Sequence, residues 1–191
     1  MVDRLRPHAA NALTAVRALL APVFVVAVVR APSTPASGWC AVVIYAVAVL
    51  TDVWDGRVAR RAGSASATGR TFDHFTDIGF ILTALCADVA VGLVPWWVPA
   101  SVAASFLFYV VDSWSRPLAQ SGLVGSRVGH AAGVLNYALI GVVVTDRSTG
   151  LLLLPDALLH GLFCLVPLYS ALAIATRLVA APGRPASALG R

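Results

Sequence analysis

The sequence predicts an all-α integral membrane protein of six transmembrane helices, and three observations carry that reading. Hydrophobic residues fill 59% of the 191 positions, with a mean hydropathy of +0.82. Charged residues make up only 12%, against roughly 25% in soluble domains. All fourteen basic residues are Arg and all nine acidic residues are Asp, so Lys and Glu, which usually clothe a solvated surface, are absent. These figures exclude a soluble globule. At about 20 apolar residues per span, the chain has room for six helices and short loops.

The elements follow from apolar runs and the breakers between them. Residues 12–29 form the first helix, and the five apolar segments that follow favour a retained span over a cleaved leader. Pro32 and Pro35 separate it from a second helix over 39–59, and Gly63 separates that from a third over 70–94. Pro95 precedes a fourth over 96–114, while Pro117 and Gly122 lead to a fifth over 127–145. Gly150 precedes a sixth over 151–178. Residues 1–180 read as one membrane domain, and residues 181–191, rich in Pro, Ala, Gly and Ser, as a disordered tail.

Arginine distribution orients the helices, because short cytoplasmic loops accumulate positive charge. With the N-terminus inside, Arg4, Arg6, Arg17, Arg57, Arg60, Arg61, Arg70, Arg116, Arg127, Arg177, Arg184 and Arg191 fall at cytoplasmic ends, against Arg30 and Arg147 outside. Both termini are therefore expected in the cytoplasm. The arginines form no stripe with interleaved aromatics, so the net charge of +5 reflects topology and not nucleic-acid binding. Cys40, Cys86 and Cys164 stand singly in apolar runs, with no C-x-x-C spacing, and read as core-packing thiols.

Carboxylates inside a membrane are costly, so four of them beside the second loop need a reason. Asp52 and Asp55 are spaced i, i+3 and Asp73 and Asp77 i, i+4, so each pair projects from one face of its helix. Antiparallel neighbours then bring four carboxylates together, and their mutual repulsion calls for a proton or a cation. All-oxygen ligation suits Mg²⁺ or Mn²⁺, which use substrate phosphates to complete their shell. Gly56 and Ala59 keep the adjacent surface low, and Arg60 offers a fork of donors for phosphate.

From Asp52 the chain reads D-V-W-D-G-R-V-A-R, then eight residues, then G-R-T-F-D-H-F-T-D. This resembles the signature of the CDP-alcohol phosphotransferases, with Asp52, Asp55, Gly56, Ala59, Arg60, Gly69, Asp73 and Asp77 filling every fixed position. A looser match, N-A-L-T-A-V-R-A-L-L-A-P from Asn11 to Pro22, is similar to the family's first helix. The resemblance implies that a CDP-linked lipid, usually CDP-diacylglycerol, donates a phosphatidyl group to an alcohol and releases CMP in phospholipid biosynthesis. It implies that Asp52, Asp55, Asp73 and Asp77 hold metal, and that Asp77 is also the catalytic base. Asn11, Thr14, Arg17, Gly56, Ala59, Arg60 and Gly69 are implied to hold the nucleotide. A homodimer is implied too, with small residues such as Ala84, Ala87, Ala100 and Ala104 on helices three and four allowing close packing, while the Arg-only, Ala- and Val-rich composition points to a bacterial plasma membrane.

The acceptor is less legible. Arg116, Arg127 and Arg177 lie at expected cytoplasmic helix ends, where they form an anion pocket for a phosphorylated polyol such as glycerol 3-phosphate or inositol phosphate, or merely anchor topology. Relatives that make phosphatidylglycerol phosphate often carry Lys after the last motif Asp, whereas Ile78 follows Asp77 here. His74 is expected beside the site and His130 on a neighbouring helix. Asp112 is expected to pair with Arg116, Asn136 and Tyr137 to bond between helices, and Asp146 and Asp156 to be solvated, while Asp88 lacks a nameable partner. A divalent-cation transporter would spread its acidic residues through the span depth, and a scaffold would tolerate losing one motif Asp; neither pattern is seen.

Overall fold

A computed structural model describes residues 6–62, 67–115 and 127–179, and those residues are helical apart from short connections. Six helices follow one another: α1 (Arg6–Arg30), α2 (Pro35–Ala62), α3 (Ala67–Ala90), α4 (Trp97–Trp114), α5 (Arg127–Val143) and α6 (Asp156–Val179). Among the described residues the number and order of α-helices match the expectation, and most boundaries shift by a few residues. The expected tail and Arg116 lie outside the described residues. Three stretches are long and apolar enough to cross a bilayer: Pro35–Trp54, Val128–Ser148 and Asp156–Val179. Polar residues in the first turns of α1 and α3 shorten their apolar lengths.

Pro35, expected between helices, begins α2, where its missing N–H would have had no helical acceptor. α3 ends four residues before its expected limit in a Schellman turn. Gly92 takes the left-handed conformation (φ 76°) and the Leu93 N–H bonds the Asp88 carbonyl at 2.9 Å. α6 starts five residues late because the chain turns at Gly150 (φ 74°) and Pro155 cannot donate to a preceding turn.

Each of the first three helices has one face that changes character along its length. On α1, Thr14 and Arg17 are succeeded on the same face by Phe24 and Val28, all buried. On α3, Asp73 and Asp77 are succeeded by Phe80, Ala84 and Ala87. On α2, the buried Ala41 and Ala48 precede Asp52, and their small side chains admit α1 closely. α1 packs most extensively on α2 and α3, and the Phe24 and Phe80 rings meet at 5.7 Å. α4 packs on α6, and α5 bridges α6 and α3. Large apolar side chains such as Leu19, Leu107, Leu168 and Leu172 cover the outside, as lipid contact requires.

Two expectations are corrected here. The three cysteines are free thiols on the protein surface, not in its core, since each falls on an outward helix face. Ala84 and Ala87 are 1% and 3% exposed within the chain, so they pack its own helices and offer nothing to a partner.

At the end of the bundle far from the carboxylates, α5 continues into a wider π-type turn, Val144–Ser148, which packs on α2. Asp146, expected to be solvated, is 3% exposed. Its Oδ1 accepts the Leu153 and Leu154 N–H groups at 2.6 and 3.0 Å, so the loop's unpaired donors find a partner inside. Arg147 pairs with Asp146 at 3.1 Å and with the exposed Asp156 at 2.7 Å.

A Cβ on Gly38 would fall on the Ser148 carbonyl oxygen, whereas one on Gly161 would meet nothing within 4 Å. Gly38→Ala should therefore destabilise the protein by about 1–3 kcal/mol through overpacking. Gly161→Ala should be neutral or slightly stabilising, as helix propensity favours Ala. Thermal unfolding of both variants in detergent checks the contrast.

Candidate active site

Because the polar stretches of α1, α2 and α3 lie at the same end of the bundle, their side chains converge. Asp52 comes from α2, Asp73 and Asp77 from α3, and one oxygen of each lies within 4.8 Å of the others. Thr14 and Arg17, one turn apart on α1, point into this cluster. Thr14 Oγ1 donates to Asp73 Oδ1 at 3.4 Å. The Arg17 guanidinium reaches Asp52 Oδ1 at 3.0 Å through Nη2 and Asp73 Oδ1 at 3.4 Å through Nη1, and Nη1 also pairs with Asp77 Oδ1. Arg17 is completely buried, while the three carboxylates are 21–39% exposed toward the open side.

Of the expected metal ligands, three are thus brought together. The Asp55 side chain lies outside what the structure describes, as do those of Asn11, Arg60 and Arg127 and the surroundings of Gly56 and Ala59. Gly69 sits one turn before Asp73 on α3. The sequence expectation paired Arg17 with a nucleotide; the structure puts it against the carboxylates, compensating their repulsion from within the chain. Its spacing from Thr14 was the available signal, since i, i+3 puts both on the face that meets α2 and α3.

The carboxylate set suits a hard divalent cation. Three carboxylate oxygens within 4.8 Å of one another are close enough for one hard cation to gather with small side-chain shifts. Asp77 Oδ1 is buried and is held in this structure by its ion contact with Arg17.

Beside the cluster lies a cavity of about 180 Å³ lined by Asp52, Asp77, His74, His130, Asn136 and Arg177, among others. His74 is held against Tyr109 and Phe106, with ring centroids at 5.0 and 5.7 Å. Tyr169 of α6 donates to Asn136 Oδ1 of α5, and Tyr45 of α2 donates to the Tyr137 carbonyl of α5, so the cavity wall is braced between helices. Arg177 donates from Nη1 to Asp112 Oδ2 at 2.9 Å, and its guanidinium carbon stands 4.3 Å over the Tyr109 ring. Asp112 was expected on Arg116; the partner described for it is Arg177, 65 residues away in sequence and invisible to any helical-spacing argument. Asp88 is fully buried, and neither of its carboxyl oxygens has a hydrogen-bond partner among the described residues.

A helical membrane protein with a carboxylate cluster, an arginine at its centre and an adjoining polar cavity has the parts of a metal-assisted phosphoryl-transfer site. The family model described as CDP-alcohol phosphatidyltransferase matches residues 7–166, and the chain belongs to that family. Two curated relatives, both described as probable phosphatidylglycerophosphate synthase, come from Mycobacterium tuberculosis strains CDC 1551 / Oshkosh and ATCC 25618 / H37Rv. Each is 37% identical over 90 residues, covering 47% of this chain and 43% of the relative, so the match spans less than half the length of either. The family match takes in the carboxylate cluster and ends before Tyr169 and Arg177.

The Asp112–Arg177 pair is half-sequestered, with side-chain exposures of 15% and 9%, and should be coupled energetically. A double-mutant cycle with Asp112→Asn and Arg177→Gln, read by thermal or denaturant unfolding, should give an interaction of about 1–3 kcal/mol.

Proposed function

We propose that this protein transfers a phosphatidyl group from a CDP-linked lipid, CDP-diacylglycerol, to an alcohol and releases CMP, as a step of phospholipid synthesis. The observation that carries the proposal is the meeting of Asp52, Asp73 and Asp77 with Thr14 and Arg17 at one end of the bundle, beside a polar cavity. Residues 1–180 act as one membrane domain of six spans in a bacterial plasma membrane, and the arginine asymmetry supports both termini and the site facing the cytoplasm. The donor then keeps its acyl chains in the bilayer while its nucleotide reaches the polar helix ends.

Asp52, Asp55, Asp73 and Asp77 would hold Mg²⁺ or Mn²⁺. When bound, the cation neutralises charge on the diphosphate as the phosphoanhydride opens. Asp77 lines the cavity and takes the proton of the acceptor hydroxyl. The freed oxygen forms a bond to the lipid-bearing phosphorus, the bond from that phosphorus to the bridging oxygen breaks, and that oxygen leaves with CMP. Asn11, Thr14, Arg17, Gly56, Ala59, Arg60 and Gly69 contribute the nucleotide side of the site.

The acceptor in this reading is a phosphorylated polyol, with Arg116, Arg127 and Arg177 as its anion partners. Support comes from Arg177, which reaches the cavity already oriented by Asp112, and from the two relatives described as probable phosphatidylglycerophosphate synthases, which favour glycerol 3-phosphate over inositol phosphate. The protein works as a homodimer. The outward face of α4, with Ala100, Ala104, Leu107 and Val111, is the surface proposed for the contact.

The test is CMP release by the detergent-purified protein from CDP-diacylglycerol with Mn²⁺ or Mg²⁺ across glycerol 3-phosphate, inositol phosphate, inositol and serine. Metal-dependent release with one phosphorylated acceptor is expected, abolished by EDTA. Asp77→Asn should lower it by roughly 10²–10⁴-fold, the range of a lost general base. Release with no acceptor and no binding of CDP would overturn the assignment.

A further inference from the structure

We infer that Arg17 is a built-in counter-ion which competes with the divalent cation for the carboxylate cluster and couples cation binding to nucleotide binding. This rests on the metal reading of Asp52, Asp73 and Asp77 proposed above.

The geometry makes the guanidinium and a cation rivals for the same atoms. Arg17 lies against Oδ1 of Asp52, Oδ1 of Asp73 and Oδ1 of Asp77, one oxygen from each candidate ligand. A cation that takes those oxygens brings a second positive centre to within a few ångströms of Arg17 and removes its partners. The side chain is 0% exposed, so water cannot hydrate the displaced charge in place. A buried guanidinium stripped of its anions is strongly unfavourable, and this opposes loading by the cation alone.

An incoming diphosphate changes the balance. It supplies oxygens in the spacing a guanidinium fork recognises, so Arg17 exchanges carboxylate partners for phosphate partners. Nε of Arg17 has no hydrogen-bond partner among the described residues, which leaves donor capacity for that exchange. Thr14 keeps its hydrogen bond to Asp73 and helps to hold α1 on α3 while Arg17 shifts. Cation and nucleotide therefore assist one another through a residue of the protein, beyond any direct bond between metal and phosphate. Between turnovers, when neither ligand is present, the guanidinium offsets one of the three carboxylate charges and draws all three together.

The experiment titrates Mn²⁺ into the full-length protein in detergent, with free Mn²⁺ read by EPR, in the absence and presence of saturating CDP. Arg17→Gln, Arg17→Lys and the wild type are compared, and melting temperatures are recorded in EDTA and in Mn²⁺. For the wild type, CDP should tighten Mn²⁺ binding at least about tenfold, within the usual span of allosteric coupling. Without CDP, Arg17→Gln should bind Mn²⁺ about tenfold more tightly than wild type, and its CDP enhancement should shrink. Arg17→Lys, a point charge that reaches fewer carboxylates, should fall between.

Arg17→Gln should melt lower than wild type in EDTA and regain more of its stability on adding Mn²⁺, because the cation replaces the missing charge. If the wild type binds Mn²⁺ while both variants bind it equally or more weakly, Arg17 merely supports the ligands and the inference is overturned alone. If the wild type binds no Mn²⁺ with or without CDP, the metal reading falls and takes the inference with it.

Discussion

The structure depends on electrostatic compensation at one point, where the Arg17 guanidinium meets three carboxylates from two other helices. Three like charges within a few ångströms would drive α2 and α3 apart in a medium of low polarity. A single buried arginine from α1 reverses the sign of that interaction and makes the cluster a joint between three helices. The apolar faces beyond it, Phe24 on α1 and Phe80 on α3, then align without further polar help. Packing extends from the joint toward the far end of the bundle, where a second polar arrangement around Asp146 closes the loop before α6.

Much of this was legible in the sequence because it rests on short-range periodicity. Helix number, order and approximate limits follow from apolar runs and breakers, and the convergence of Asp52, Asp73 and Asp77 follows from their places at adjoining helix ends, with Asp73 and Asp77 spaced i, i+4. What escaped depends on contacts between residues distant in the chain. Asp112 finds Arg177 across α4 and α6, a contact that no helical spacing could reveal. Asp146 looked like a loop residue beside Arg147, yet the loop folds over it and buries it, since only its carboxylate satisfies the Leu153 and Leu154 N–H groups. The cysteines misled for a related reason. In a membrane helix every face is apolar, so hydropathy does not distinguish the side that packs from the side that meets lipid.

The two ends of the bundle use buried polar groups differently. Around Asp146, Oδ1 is tied to two backbone donors and Oδ2 faces Arg147, an arrangement that fixes a loop. Around Asp77 the groups are partly open and incompletely bonded, which suits exchange of partners. The cavity beside them is braced by side chains from α2, α5 and α6, with Tyr45 and Tyr169 spanning the gaps. Rigid walls around a chemically unsaturated centre are what positioning of two substrates demands.

The division of the site along the chain has an evolutionary consequence. Residues from Thr14 to Asp77 build the charged centre, while much of the facing wall of the cavity, Tyr109, His130, Tyr169 and Arg177 among it, comes from the second half. Under the proposed function, mutations in that half would reshape the space for the alcohol and leave the carboxylate cluster intact. On that reading, a scaffold divided in this way could change its product by drift in α4, α5 and α6 alone, with the first three helices held constant.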